Sequence, residues 1–136
     1  MKLLKFIHPL IQFKDEKLGK FLHKCNLDEC HFALSWILTW YSHVLDDLRV
    51  ISRLFDLFLS THPLMPIYIA ASIILYRKNQ ILSRECSFGS IYSLLSEFPQ
   101  NLPFDDIIEN AIQLFDEYPP KRFIKYSSII YLLYIV

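Results

Sequence analysis

Glycine is nearly absent: two residues in 136, where ordinary usage of about 7% would supply roughly nine or ten. Phosphate-cradling loops and left-handed turns depend on glycine, so P-loop and Rossmann chemistry is excluded. An excess of one charge is missing too. Fourteen Lys and Arg balance fourteen Asp and Glu, which leaves no net field to draw the chain to nucleic-acid phosphates, and nucleic acid is not an expected partner. Cysteine is sparse, with Cys25, Cys30 and Cys86 forming an odd set. The N-terminal apolar run is broken by Lys14, Asp15 and Glu16 before a secretory h-region develops, so a reducing compartment is expected rather than a secreted disulfide framework.

Long apolar runs are also short of what a membrane demands. Leu57 to Tyr76 carries no Asp, Glu, Lys or Arg, but Ser60-Thr61-His62-Pro63 interrupts it. The remaining Leu64–Tyr76 would extend about 20 Å as a helix, against a hydrocarbon core of about 30 Å. The uncharged stretch Tyr126–Val136 is shorter still.

What is present is apolar and helical. Hydrophobic residues make up 53% of the chain, enough to offset chain entropy and exclude intrinsic disorder. Leu3, Leu4, Ile7, Leu10 and Ile11 recur at helical spacing, as do Ile51, Leu54, Phe55, Phe58 and Leu59, and no period-2 run competes. Breakers at 26–29, 60–63, 83–87, 99–103 and Pro119-Pro120 divide the chain into predicted helices over 2–12, 15–25, 31–44, 47–60, 64–82, 88–97 and 104–117. The expected fold is all-α, a single array of about six or seven helices with short connections.

Few constellations carry chemistry. His23, Cys25, Cys30 and His31 place four metal-ligand types close together, but structural zinc uses two ligand pairs on separated knuckles, so no metal is assigned. Ser42, His43, Asp46 and Asp47 offer triad residue types without triad geometry. On a helix, His43 and Asp47, four apart, would suit a surface hydrogen bond. Asp105-Asp106-Glu109 and Asp116-Glu117 read as solvated helix faces rather than acid–base pairs. Trp36 and Trp40, also four apart, are expected on one apolar face as core. Lys121, Arg122 and Lys125 form a small basic cluster that suits anionic lipid or a solvated helix end equally. No cofactor and no catalytic residue is assigned.

The order of residues then becomes distinctive. Phe32-Ala33-Leu34-Ser35-Trp36-Ile37-Leu38-Thr39-Trp40-Tyr41-Ser42-His43, followed by Arg53-Leu54-Phe55-Asp56 and by His62-Pro63-Leu64-Met65-Pro66-Ile67-Tyr68, resembles the C-terminal half of a TBC domain. Leu75-Tyr76-Arg77, Pro99-Gln100-Asn101-Leu102-Pro103 and Leu114-Phe115 before Pro119-Pro120 extend the resemblance over about residues 1–120. The branch it resembles most is anchored at the endoplasmic reticulum. Residues 121–136 depart from that branch as an apolar tail, which leaves anchoring without support from this stretch.

The resemblance implies an all-helical activator of Rab GTPases, acting in vesicle and endoplasmic reticulum–Golgi traffic from the cytoplasmic side of those membranes. It is an activator family and not an enzyme in itself. In such domains an Arg from an Ile-x-x-Asp-x-x-Arg motif and a Gln from a Tyr-x-Gln motif act on the bound GTPase, both upstream of the half resembled here. No tyrosine of this chain is followed two places on by Gln. His43-Val44-Leu45-Asp46-Asp47-Leu48-Arg49 mimics the arginine motif with His in place of Ile, in the wrong half, so Arg49 is rejected as a finger. The chain alone is therefore expected to lack stimulation, and a half-domain is expected to leave apolar surface uncovered.

Family-motif positions with an expected structural role are Trp36, Trp40, Arg53, Asp56, Pro63, Pro66 and Tyr76. For Arg53 and Asp56, with Phe55 at the family's Trp position, two roles stay open: shaping a GTPase-facing groove, or an internal ion pair that fixes helix packing, the latter favoured because charges near a core need partners. Two further classes compete with the activator reading. One is a non-catalytic interaction module that binds a Rab or a helical partner. The other is a small membrane-associated protein using Leu64–Tyr76 and the tail.

Overall fold

The computed structural model describes residues 2–124, with side chains over 3–122. Those residues form nine α-helices and no strand: α1 Ile7–Lys14, α2 Glu16–Lys24, α3 Leu34–Leu38, α4 Leu48–Ser60, α5 Met65–Tyr76, α6 Lys78–Leu82, α7 Phe88–Ser96, α8 Phe104–Glu117 and α9 Pro120–Ile124. Short 3₁₀ turns over Lys2–Phe6 and His31–Ala33 precede α1 and α3. The all-α expectation is met. The apolar run Tyr126–Val136 lies outside the described residues.

α5 is the axis of the molecule. Ten consecutive residues, Met65–Ile74, are buried on every side, because α1, α8, α3, α4 and α6 all pack against it. A helix without a polar face can be stable only when surrounded. Met65–Ile74 is thus spent on packing within the helical array, and no helix among the described residues is long and apolar enough to cross a membrane. The buried Ser72 hydroxyl donates to the Ile107 carbonyl at 2.8 Å and straps α5 to α8.

Helix starts follow side-chain capping. Asp15 Oδ1 accepts from the Leu18 N–H at 3.1 Å to begin α2, Asp47 Oδ1 accepts from the Arg49 N–H at 2.9 Å to begin α4, and Ser87 Oγ accepts from the Ser90 N–H at 3.3 Å to begin α7. Each satisfies a donor that the first turn leaves without an intrahelical partner. Asp15 also binds Lys78 Nζ at 2.6 Å, joining α2 to α6.

Three expected helices are corrected. The helix over 31–44 ends at Leu38: Trp40 and Tyr41 have φ of 49° and 68°, and the Tyr41 N–H reaches back to the Trp36 carbonyl at 2.7 Å, a left-handed helix stop. Residues that usually avoid this region are held there because both rings find aromatic partners, a packing gain that local spacing does not report. The helix over 64–82 is interrupted at Arg77 into α5 and α6. The segment 2–12 begins as a 3₁₀ turn, and its α-helix runs to Lys14.

Candidate functional site

Of the sequence-highlighted residues, Arg53 and Asp56 lie on the outer face of α4, Trp36 lies on α3, and Trp40 lies at the start of the loop that leads into α4. Trp36 is buried, with its ring edge-on to Phe98 at 5.1 Å and 83°. Trp40 points elsewhere, onto Phe55 at 5.2 Å and Phe58 at 5.3 Å. The expected shared face of Trp36 and Trp40 is thus absent, because the helix stops between them. Tyr41, fully buried, bridges the two groups through Trp36 and Phe58, and its hydroxyl donates to the Pro66 carbonyl at 2.7 Å in the first turn of α5. Burial pushes the Tyr41 phenol well above its ordinary value, so it remains a donor. Pro66 sits in that first turn, where proline's fixed φ suits a helix start. Pro63 lies before it, exposed.

Residues 39–44 form turns and 45–47 an irregular link rather than helix, and Gln100 clamps this loop, reaching Val44 from 56 positions away. Its Nε2 donates to the Val44 carbonyl at 2.8 Å, and its Oε1 accepts from the Asp46 N–H at 3.0 Å. The loop thereby fixes Asp47, the cap of α4, and through it the direction of Arg49, Arg53 and Asp56. Arg49 stands almost fully exposed beside Asp47 at 3.5 Å.

Arg53 and Asp56 are both exposed. The expected internal pair does not form: Arg53 binds Asp105 of α8 across the surface, and the Asp56 carboxylate has no ion pair among the described residues. Leu48 and Leu59, 75% and 73% exposed, flank these charges, so α4 presents outward a stripe of Leu48, Arg49, Arg53, Asp56 and Leu59. Leu38, just before the aromatic loop, is exposed as well. Phe13, Tyr76, Phe88 and Ile112 are exposed on other helices, so apolar surface is uncovered at several places and Leu48 and Leu59 are its share on α4.

Tyr76 stands at the far end of α5, on a cleft of about 250 Å³ shared with Lys14, Asn110 and Gln113. It is distant in the fold's order from the α4 stripe and belongs to no shared site with it.

The other sequence clusters are not brought together as reactive sets. His23 pairs with Asp28, and His31 with Glu29 at 2.6 Å, both at the surface. Cys25 and Cys30 turn inward and are buried. Burial, with a smaller contribution from Asp28, pushes the Cys30 thiol up to about 12, and that thiol donates to the Leu27 carbonyl at 3.4 Å. No group of three or more ligating side chains among the described residues is arranged to hold a metal. Ser42 Oγ donates to the Thr39 carbonyl at 2.7 Å. His43 lies in a turn and Asp47 caps α4, so the two share no helix. Arg122 Nη1 donates to the Glu117 carbonyl at 2.6 Å and its guanidinium lies over the Tyr118 ring, while Lys125 is outside the described residues.

Sequence reasoning missed two residues with organising roles, Gln100 at this surface and Arg77 between α5, α6 and α7. Gln100 has no local signature, since its partners are remote. Arg77, read only as part of a motif, is buried; its Nε donates to Gln80 Oε1 at 3.1 Å and its Nη2 to the Leu94 carbonyl at 3.3 Å.

Comparison with known proteins agrees with this architecture. The Rab-GTPase-TBC domain family matches residues 1–82. TBC1 domain family member 20 from Homo sapiens and from Bos taurus are each 42% identical over 120 residues, covering 88% of this chain and 30% of the relative. The GTPase-activating protein gyp10 of Schizosaccharomyces pombe is 32% identical over 114 residues, 82% of this chain and 30% of the relative. The chain thus spans about a third of the length of these curated relatives. With more than half of its length matched by the family and an all-helical fold to carry the match, the chain belongs to the Rab-GTPase-TBC domain family.

Proposed function

We propose that this chain is a Rab-binding portion of a GTPase-activating TBC domain, and that the outer face of α4 receives the GTPase. The observation that carries this reading is that Arg53 and Asp56, family-motif charges, stand exposed between Leu48 and Leu59 rather than buried in the packing. A mixed stripe of exposed charge and aliphatic side chains on a helix pinned at its cap suits a protein surface, where charge sets orientation and apolar contacts hold the complex.

Stimulation of hydrolysis requires more. A positive group must neutralise the charge that grows on the transferring phosphoryl, and an amide must orient the attacking water; an arginine finger alone is worth about 10³–10⁵ in rate. The sequence contains neither Ile-x-x-Asp-x-x-Arg nor Tyr-x-Gln, so this chain binds without accelerating hydrolysis, and activity belongs to a form that supplies both fingers. Resemblance to an endoplasmic-reticulum branch supports a site of action for such a form at endoplasmic reticulum or Golgi membranes. The domain boundary proposed is 1–120, with 121–136 as a separate tail.

The test is binding and single-turnover hydrolysis with a panel of GTP-loaded Rab proteins and the purified 136-residue chain. Binding to at least one Rab, weakened about tenfold or more by Arg53→Glu with the helical circular dichroism unchanged, is the expected result. Acceleration of hydrolysis by tenfold or more overturns the non-catalytic assignment, and Rab binding indifferent to Arg53→Glu overturns the α4 face.

A further inference from the structure

The cysteines separate into a pair and a bystander. Cys25 closes α2 as its C-terminal cap and is 2% exposed, whereas Cys86 lies half-buried in the loop 83–87 between α6 and α7. Both converge on the last turn of α2. The Phe21 carbonyl accepts from the Cys25 N–H at 3.0 Å and from the Cys86 thiol at 3.9 Å, across 65 positions of sequence. Cys86 is also close enough to the Cys25 thiol to contribute to its upward pKa shift. Cys30 takes no part, because its thiol is committed to the Leu27 carbonyl.

We propose that Cys25 and Cys86 form an oxidation site: a dithiol that a hydroperoxide converts to a disulfide joining the end of α2 to the α6–α7 loop. Cys86, the more accessible sulfur, reacts first. Its thiolate attacks a peroxide oxygen, the O–O bond breaks, and Cys86 becomes a sulfenic acid with release of water. The Cys25 thiol then attacks the Cys86 sulfur, forming the S–S bond and expelling the sulfenic oxygen as a second water. Over both steps, two thiols and one hydrogen peroxide give one disulfide and two waters. A small dithiol reverses the change by exchange.

Burial, then the neighbouring Cys86 thiol, pushes the Cys25 thiol up to about 12. Cys25 is therefore inert toward external oxidants on its own and reacts only with a sulfur already beside it. The disulfide has a structural consequence. A cleft of about 430 Å³ has one wall from the 23–31 segment, including His23 and Asp28, and the other from α7 through Phe88 and Tyr92. Cys25 belongs to the segment that supplies the first wall, without lining the cleft itself, and Cys86 lies two residues before Phe88 of the second, so the bond would tether the two walls.

The experiment treats the folded 136-residue chain with hydrogen peroxide, alkylates the remaining thiols, and maps peptides by mass spectrometry without reduction. The expected product is a Cys25–Cys86 linked peptide with Cys30 alkylated, formed at a rate independent of protein concentration and reversed by dithiothreitol. Cys30→Ser leaves the yield unchanged. Cys25→Ser, with helical circular dichroism retained, replaces the linked peptide by a Cys86 sulfenic acid that dimedone captures. A folded wild-type chain whose Cys86 is over-oxidised or alkylated without linkage overturns the proposal. So does linkage to Cys30 at a yield comparable with Cys25.

Discussion

Gly19 stands where α1 and α2 cross so closely that a Cβ built on it would lie 2.7 Å from the Gln12 Cα. Backbone cannot yield as a flexible side chain can, and the Gly19 carbonyl also accepts from His8 Nε2 at 2.8 Å, which fixes the crossing. Gly19→Ala is therefore expected to destabilise the fold by about 1–2 kcal/mol, overpacking outweighing the helix-propensity gain. Gly89, in the first turn of α7, meets nothing within 4 Å; Gly89→Ala is expected to be neutral or to stabilise by about 0.5 kcal/mol. Urea denaturation of the two variants checks both, and the opposite order of stability refutes the packing account. The same scale shows the limits of local reading. Composition reveals how few glycines there are, and only the crossing reveals which one is indispensable.

At the scale of the element, caps decide where helices begin. For Asp15, burial alone raises the carboxyl pKa, but the Lys78 hydrogen bond and then the Leu18 N–H more than offset it, so that the group titrates below its ordinary value. A folded-state value below the unfolded one means the contribution is fully present above the unfolded pKa of about 3.9 and is lost as pH falls through the folded value. Asp15→Asn is expected to cost about 1 kcal/mol at neutral pH, and the gap between wild type and variant should close below about pH 4. Denaturation midpoints at neutral pH and under acid conditions measure this; an undiminished gap in acid would show that Asp15 acts by shape rather than charge. Arg53–Asp105 differs, because both side chains are largely exposed. Arg53→Ala should cost no more than about 0.5–1 kcal/mol, which lets the Rab-binding test read recognition rather than unfolding.

For the whole molecule, stability is concentrated in α5. Ile73 is completely buried, and Ile73→Ala is expected to lose about 2–5 kcal/mol through lost transfer energy and an incompletely collapsed cavity. Leu59, on the outer face of α4, should tolerate Leu59→Ser within about 0.5 kcal/mol. Domains of this size have only about 5–15 kcal/mol in total, so the first change endangers folding and the second does not. Equivalent losses from the two substitutions in chemical denaturation would refute the picture of a central helix ringed by the others.

The sequence by itself determined the helical class, the family resemblance, and the full extent of α8, whose Phe104–Glu117 span matches the expected 104–117. These rest on local periodicity, turn residues and residue order, all of which act over a few positions. Tertiary structure decided the rest. It stopped α3 before Trp40, since the favourable contacts of Trp40 and Tyr41 come from Phe55, Phe58 and Trp36 rather than from a continued helix. It took Arg53 away from Asp56 and gave it Asp105, recruited Gln100 to hold the loop before α4, and brought Cys86 to the end of α2. Each of these joins residues remote in the chain, and such contacts exist only after the apolar faces have packed around α5 and set which surfaces meet.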